Sequence, residues 1–225
     1  MVSIPRVIHQ TWKSVDVPVR FQAAARSWRD RNPGWEYVLW TDADIDRFVR
    51  DHFPRLVPLF LGYPDQIQRV DAFRYLLLQR VGGVYADLDI ECLRSFESLR
   101  AHPVVLPLTV PVGLSNDLMM AEPGHPLFQA LVDGLPAAFR AWQRWWIPRH
   151  FRVLLTTGSL YITRIHRQAR SSSEVHLLSP ELYSSQDRSR ALVFHLPGDT
   201  WAGWDTHVLK FLYAHWRWLS RLASR

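Results

Sequence analysis

The chain has 225 residues, of which 48% are apolar and 21% charged, with a formal net charge of +6. That length buries a substantial core, and that balance excludes a disordered or fibrous chain. The basic charge suits an anionic partner (a diphosphate, an acidic lipid surface or nucleic acid), while a single cysteine, Cys92, excludes an intrachain disulfide.

Arg6–Thr11 (RVIHQT) reads as a short buried strand ending in polar groups. Val19–Arg31 reads as a helix stopped by Asn32–Pro33–Gly34, and Trp35–Thr41 (WEYVLWT) as a second strand. Asp42 is expected to cap a helix that runs to about Phe53, and Pro54–Gly62 to form another short helix. Pro64 opens a longer helix that ends at Gly82–Gly83, and Val84–Ile90 follows as a third strand. Alternating strands and helices predict an α/β fold with a mainly parallel sheet covered on both faces. In such sheets a ligand sits beyond the carboxyl ends of the strands, and these strands do end in polar or acidic residues.

In the second half His102–Val110, Leu118–Ala121 and Val193–His195 read as strands. His125–Trp142 and Asp205–Leu222 read as helices, and Ser171–Ser173 as a loop. No linker, repeat, signal peptide or run of 18 apolar residues is legible, so one soluble or membrane-peripheral domain over residues 1–225 is expected. Cys92 has no sequence-local base to activate it and is expected to be a packing residue.

The chemistry concentrates in Val84–Ile90 (VYADLDI). On a continuous strand Val84, Ala86, Leu88 and Ile90 would face the core, and Tyr85, Asp87, Asp89 and Glu91 the other way. Carboxylates at i and i+2 repel each other unless a cation offsets them, and hard oxygen ligands suit magnesium or manganese. A lone D-x-D triplet also ends many exposed strands. The helix before it raises the signal, because Asp71 and Arg74 fall inside its apolar stripe with Ile67, Val70, Leu77, Leu78 and Val81. Charges there are either paired in the core or turned to a cleft.

Three segments, Ile4–Trp12 (IPRVIHQTW), Asn32–Asp42 (NPGWEYVLWTD) and Arg69–Asp89 (RVDAFRYLLLQRVGGVYADLD), resemble glycosyltransferase family 32 in order and content. This is the D-x-D sugar-binding family that includes initiating α-1,6-mannosyltransferases and inositol phosphoceramide mannosyltransferases. Gly113–Pro126, the stretch from Trp145 through Gly158 and His195–Asp205 resemble the inositol phosphoceramide branch. Ser159 stands where the family often has proline, and the family's membrane-spanning tail is not seen.

The resemblance implies a GT-A type fold with a Rossmann-like mixed sheet flanked by helices. It implies a nucleotide-sugar donor, a divalent Mn2+ or Mg2+ ion and retention of configuration. Residues 1–92 would form the nucleotide-sugar and metal-binding half, and residues 93–225 the acceptor-side half. By position, Asp87 and Asp89 would hold metal and diphosphate, and Asp71 and Arg74 the donor sugar. Gln10, Thr11 and Trp12 would line the nucleotide pocket, with Gly83 close by, and Asn116 and Asp117 would meet donor sugar or acceptor. His195 is the candidate for a late metal ligand, with Asp205 competing for that role. Structural alternatives stay open: Trp12 as a core aromatic, His195 as a hydrogen-bonded residue, and Asn116–Asp117 as a local turn.

The implied reaction moves mannose from GDP-mannose to a glycolipid such as inositol phosphoceramide. A capsular or surface polysaccharide acceptor with another nucleotide sugar is the second reading, and a carbohydrate-binding pseudo-enzyme the third. No nucleic-acid partner is expected, for want of a compact Lys/Arg cluster or a recognised motif. Asp205–Leu222 would carry Lys210, Arg217 and Arg221 opposite an apolar face, which suits either packing on the sheet or lying on an anionic membrane. Family members are often Golgi membrane proteins, and the compartment stays open.

Overall fold

A computed structural model describes residues 3–109, 113–169, 174–183 and 187–197. Strand β1 (Val7–Thr11) is buried throughout, and helix α1 (Val19–Arg31) follows it. This helix buries Phe21, Ala24, Ala25 and Trp28, at the three- and four-residue spacing of one helical face. Strand β2 (Glu36–Trp40) pairs parallel with β1 and leads into helix α2 (Asp42–His52). The cap is Thr41, not Asp42. The Thr41 hydroxyl accepts from the Asp44 amide, and the Asp44 carboxylate accepts from the Thr41 amide. Only the residue before the first helical position can make this reciprocal pair, and Asp42 already lies in the first turn.

A 3-10 turn (Pro54–Leu56) and helix α3 (Val57–Gly62) precede the central helix α4 (Gln66–Arg80). Residues Asp71 through Leu78 are buried without a break, so α4 is covered nearly all round and not on one stripe alone. The amides of Val81 and Gly82 return to the carbonyls of Leu77 and Leu78, and Gly82 takes a φ of +71°. Gly83 has a φ of +99°, and a Cβ there would stand 2.6 Å from Val7 Cγ1 and 2.7 Å from the Val7 carbonyl. Without that Cβ, the chain reverses in two residues and strand β3 (Gly83–Ala86) lies directly against β1.

The expected strand over Val84–Ile90 is in fact two strands. After Ala86 the chain leaves the main sheet through a turn, closed by the Ile90 amide on the Asp87 carbonyl at 3.1 Å. Strand β4 (Ile90–Cys92) then joins a separate two-stranded sheet with β9 (Val193–His195). The face alternation therefore fails at Asp87. Tyr85 is buried in one core and Val84 with Ala86 in the other, so both faces of β3 are covered. The acids escape that burial because they lie on the turn.

The later strands are β5 (Val104–Thr109), β6 (Gly113–Leu114), β7 (Leu118–Ala121) and β8 (Val175–Leu178). The described main sheet has the order β2-β1-β3-β7-β5-β6, with β8 also on β5. The β1–β2, β1–β3 and β5–β8 pairs are parallel, and the β3–β7, β5–β7 and β5–β6 pairs antiparallel. The sheet is mixed, not mainly parallel, because no crossover helix separates β5, β6 and β7.

Helix α5 (Pro126–Trp142) packs across α4 and is capped by His125, whose Nδ1 accepts from the Leu127 amide at 3.1 Å. Helices α6 (Arg149–Thr156), α7 (Ser159–Gln168) and α8 (Pro180–Tyr183) complete the described chain. The expected loop at Ser171–Ser173 and helix at Asp205–Leu222 lie outside the described residues. No described helix is long and apolar enough to cross a membrane. Cys92 is buried, its thiol pushed up to about 12 by burial, and it donates to the Arg94 carbonyl as a packing residue would.

Candidate active site

A cavity of about 920 Å³ opens where the parallel strands β1 and β3 end. Thr11 and Trp12 reach it from the end of β1, and Asp87 and Asp89 from the turn after β3. The β3–β7 register pairs Ala86 with Leu118, which brings Asn116 and Asp117 to the same place. The Asp87 amide donates to the Asp117 carbonyl at 2.8 Å, tying the two acidic turns together. Strand β9 delivers His195 to the rim, fixed by the Leu196 amide on the Asp89 carbonyl at 2.8 Å.

Arg74 occupies the centre of the cluster. Its Nη2 lies 2.9 Å from Asp87 Oδ1, and its Nη1 donates to the Asn116 carbonyl at 2.8 Å and lies 3.5 Å from Asp71 Oδ1. Its guanidinium also stands over the Tyr85 ring, 4.8 Å from the centroid. Burial alone would lower the Arg74 pKa, but the facing Asp87, Tyr85 and Asp71 hold it well above the ordinary value. Asp71 is only 3% exposed and accepts from Asn116 Nδ2 at 3.0 Å and from the Thr157 hydroxyl at 3.1 Å. Its pKa is raised because desolvation outweighs the help from Arg74.

The Asp87 carboxylate accepts from the Tyr85 hydroxyl at 2.8 Å as well as from Arg74. Its side chain meets the cavity over 28% of its surface, yet protein surrounds it densely enough that desolvation dominates. With Asp89 and Asp117 adding repulsion, its pKa rises to about 7. The Asp89 pKa is raised too, first by desolvation and then by Asp117. Asp87, Asp89 and Asp117 line the cavity together with Asp42 and Asp71, more acids than the lining Arg74 and Lys13 balance.

Asp117 is held from the side. The Tyr183 hydroxyl lies 2.5 and 2.6 Å from its two oxygens, and Ser115 Oγ donates to it at 2.6 Å. His195 Nδ1 is 3.9 Å from Asp117 Oδ2, and its ring meets Tyr183 edge-on at 4.8 Å. Among the described residues, the His195 Nε2, the Trp12 indole N–H and the Arg74 Nε are buried without a hydrogen-bond partner. Unpaired polar groups in a wall are costly unless a ligand meets them.

Two sequence candidates do not line this cavity. Gln10 is fully buried behind it, donating to the Asp87 carbonyl at 3.0 Å and accepting from the Tyr37 hydroxyl at 2.8 Å. Gly83 packs on Val7 and His9 and acts through the backbone. Asp205 lies outside the described residues. Among the described residues no three His, Cys, Asp or Glu side chains converge as a preformed metal cage. Sequence reasoning did not find Tyr85, Tyr183, Ser115 and Thr157. Tyr85 had a signal in its place two residues before Asp87, whereas Tyr183 had none.

Residues 18–106 match the glycosyltransferase sugar-binding region containing the DXD motif. The chain is 40% identical over 160 residues to inositol phosphoceramide mannosyltransferase 2 of Schizosaccharomyces pombe, covering 71% of this chain and 45% of that protein. It is 32% identical over 217 residues to mannosyl phosphorylinositol ceramide synthase SUR1 of Saccharomyces cerevisiae, covering 94% and 55%. Over these residues the chain is similar to the DXD glycosyltransferases. It spans about half the length of these relatives.

The DXD glycosyltransferase fold extends to solved structures. The PaToxG glycosyltransferase superposes with a TM-score of 0.60 at 15% identity, covering 81% of this chain and 72% of that one. The UDP-bound glycosyltransferase domain of the YGT toxin superposes with a TM-score of 0.54 at 9% identity, covering 87% and 84%. These likenesses establish the GT-A type α/β fold. The triplet Asp87–Leu88–Asp89 falls within the matched region and lines the cavity from the turn after β3.

Proposed function

We propose that this chain transfers mannose from GDP-mannose to a hydroxyl of an inositol phosphoceramide-like glycolipid, with retention of configuration and with Mn2+ or Mg2+. The observation that carries this reading is the convergence of Asp71, Arg74, Asp87, Asp89 and Asp117 on one cavity large enough for a nucleotide sugar. The names of the similar mannosyltransferases support the donor and acceptor classes.

The residues fit a divalent ion. Asp87 and Asp89 offer hard oxygens, and His195 offers an imidazole whose Nε2 has no partner among the described residues. Such ions often take one or two carboxylates and complete their shell with substrate phosphates, so a cage of three protein ligands is not required. When bound, the ion would supply Lewis-acid charge at the diphosphate.

The chain's own groups would do the rest. Arg74 directs a buried, permanently positive group at the site of the departing nucleoside diphosphate. Asp71, fixed by Asn116 and Thr157, would accept from donor-sugar hydroxyls. The indole N–H of Trp12, unpartnered among the described residues, would meet the nucleoside. Asp117, fixed by Tyr183 and Ser115, would orient sugar or acceptor hydroxyls. The acceptor hydroxyl approaches on the face that the diphosphate leaves. As the bond from anomeric carbon to diphosphate breaks, the new bond to the acceptor oxygen forms on that face, and the acceptor proton passes to the departing phosphate oxygen. Residues 93 onward thus complete the donor pocket, through Asn116, Asp117 and His195, as well as forming the acceptor side.

A panel of nucleotide sugars in a manganese-supplemented hydrolysis assay tests this. GDP release from GDP-mannose, lost in Asp89→Asn, is the expected result. A response to UDP-sugars alone would overturn the mannose assignment. No turnover with any donor would leave a carbohydrate-binding module instead of an enzyme.

A further inference from the structure

The positive charge of this chain is concentrated, not spread. Between Asp133 and Glu174 the sequence holds seven arginines and no acid, against a formal charge of +6 for the whole chain, so all the rest is net −1. The arginines are spaced through helices and turns instead of running together, which is why they form no compact cluster in the sequence. The same segment supplies Val153, Leu154, Gly158 and Ser159 to the cavity wall.

In the turn between α5 and α6, Trp145 is 88% and Trp146 63% exposed, and Phe151 on the first turn of α6 is 38% exposed. The two indoles meet edge to face at 5.9 Å, with the Arg144 guanidinium 5.9 Å from the Trp146 ring. Large aromatics left together in water mark an interaction surface. Phe151 and Leu154 lie three residues apart on α6 and so share a face, and Leu154 lines the cavity. Apolar surface therefore leads from the cavity wall out to the exposed aromatics. Arg149 and Arg152 both pair with Asp65, at 2.7 and 3.2 Å, next to Gln66 and Ile67 on the cavity rim. This locks the base of the aromatic turn to the mouth of the cleft.

We infer that the Trp145–Trp146 turn, with Phe151 and its arginine-rich flanks, docks on an anionic lipid bilayer and presents the cleft to it. Indole rings settle at the headgroup level, where an apolar body and a polar N–H are both accommodated. The segment's excess of arginine over acid adds attraction to an anionic leaflet. A protein partner or a second copy of this chain would have to bring acidic groups to match the segment, and outside it this chain is nearly neutral. The inference goes beyond the transferase reading, since it concerns where the cleft works and not what it transfers.

Flotation of the full chain with phosphatidylcholine vesicles, with and without phosphatidylserine, tests it. The chain is expected to float with the phosphatidylserine vesicles and to be released by high salt. Trp145→Ala/Trp146→Ala, with its melting temperature unchanged, is expected to lower that recovery roughly tenfold. Equal recovery of the double variant, or recovery indifferent to phosphatidylserine, overturns the proposal. So does a change of oligomeric state without a change in flotation, or tighter binding to a single-stranded oligonucleotide that the same variant abolishes. Donor hydrolysis in solution is expected to be unaltered in this variant, so failure of membrane docking is read separately from failure of the transferase reading.

Discussion

Arg74 Nη2 lies 2.9 Å from Asp87 Oδ1, joining the middle of helix α4 to the turn that follows strand β3. The Arg74 side chain is 3% exposed, so this ion pair works at low dielectric and orients the first carboxylate of the D-x-D triplet. Arg74→Ala would strand Asp71 and Asp87 without their cation. Loss of one partner of such a pair costs about 3–5 kcal/mol. We expect that loss in urea denaturation, together with donor turnover below detection. Arg74→Lys should restore part of the stability but little turnover, because an ammonium cannot reach Asp87 and the Asn116 carbonyl in the same forked geometry.

Asp89→Asn should separate stability from activity. The residue faces the cavity beside Asp87 and Asp117, and its charge is disfavoured by desolvation and by Asp117. Removing that charge relieves repulsion among the carboxylates, so the melting temperature should hold or rise. Donor hydrolysis should fall by about a hundredfold or more if the carboxylate serves metal and diphosphate. A lower melting temperature with full turnover would make Asp89 a structural residue.

Tyr183 is a positioning residue with a distinct signature. Its hydroxyl holds both Asp117 oxygens, and its ring supports His195. Tyr183→Phe keeps the ring and removes the hydroxyl, at a stability cost of about 1–2 kcal/mol. If Asp117 orients the reacting hydroxyls, kcat should fall by about tenfold while KM for the donor changes little. An equal rise in KM with unchanged kcat would assign the pair to ground-state binding instead.

His9 predicts the acid limb of stability. It is 1% exposed, accepts from the Trp40 indole N–H at Nδ1 and reaches the Gly82 carbonyl through Nε2 at 3.1 Å. Burial pushes its pKa down to about 4. Between that value and the unfolded value of about 6.5, the unfolded chain binds the proton that the folded chain refuses. Stability from this residue is therefore complete above about pH 6.5 and is lost as the pH falls toward 4, by about 3 kcal/mol. His9→Gln should flatten the stability curve in that window, as read by denaturation at a series of pH values.

Gly83 and Gly34 should respond unequally to alanine. Both have positive φ, +99° and +80°, which costs an L-residue about 1–2 kcal/mol. Gly34 has open space where a Cβ would go, whereas at Gly83 it would strike Val7 backbone and side chain. Gly34→Ala should lose only the conformational part. Gly83→Ala should lose about 3 kcal/mol or more, since β1 and β3 must part, and turnover should fall with the displaced D-x-D turn.

What the chain alone determines here is local. Helix α1 and strand β7 are legible to the residue, because helical periodicity and a proline–glycine stop mark one and a short, wholly apolar run marks the other. Asp71 and Arg74 stand out because charges in an apolar helical stripe need a reason. Gly82–Gly83 marks a sharp reversal because few other residues tolerate positive φ. Only the tertiary structure decides that Asp87–Leu88–Asp89 is a turn and not a strand. That turn exists because β4 pairs with β9, about a hundred residues away in the chain, and no local pattern encodes a partner so distant. The β4–β9 pairing brings His195 to the cavity and the β3–β7 pairing brings Asp117, which Tyr183 then holds, while Gln10 and Gly83 stay behind the wall they help to build.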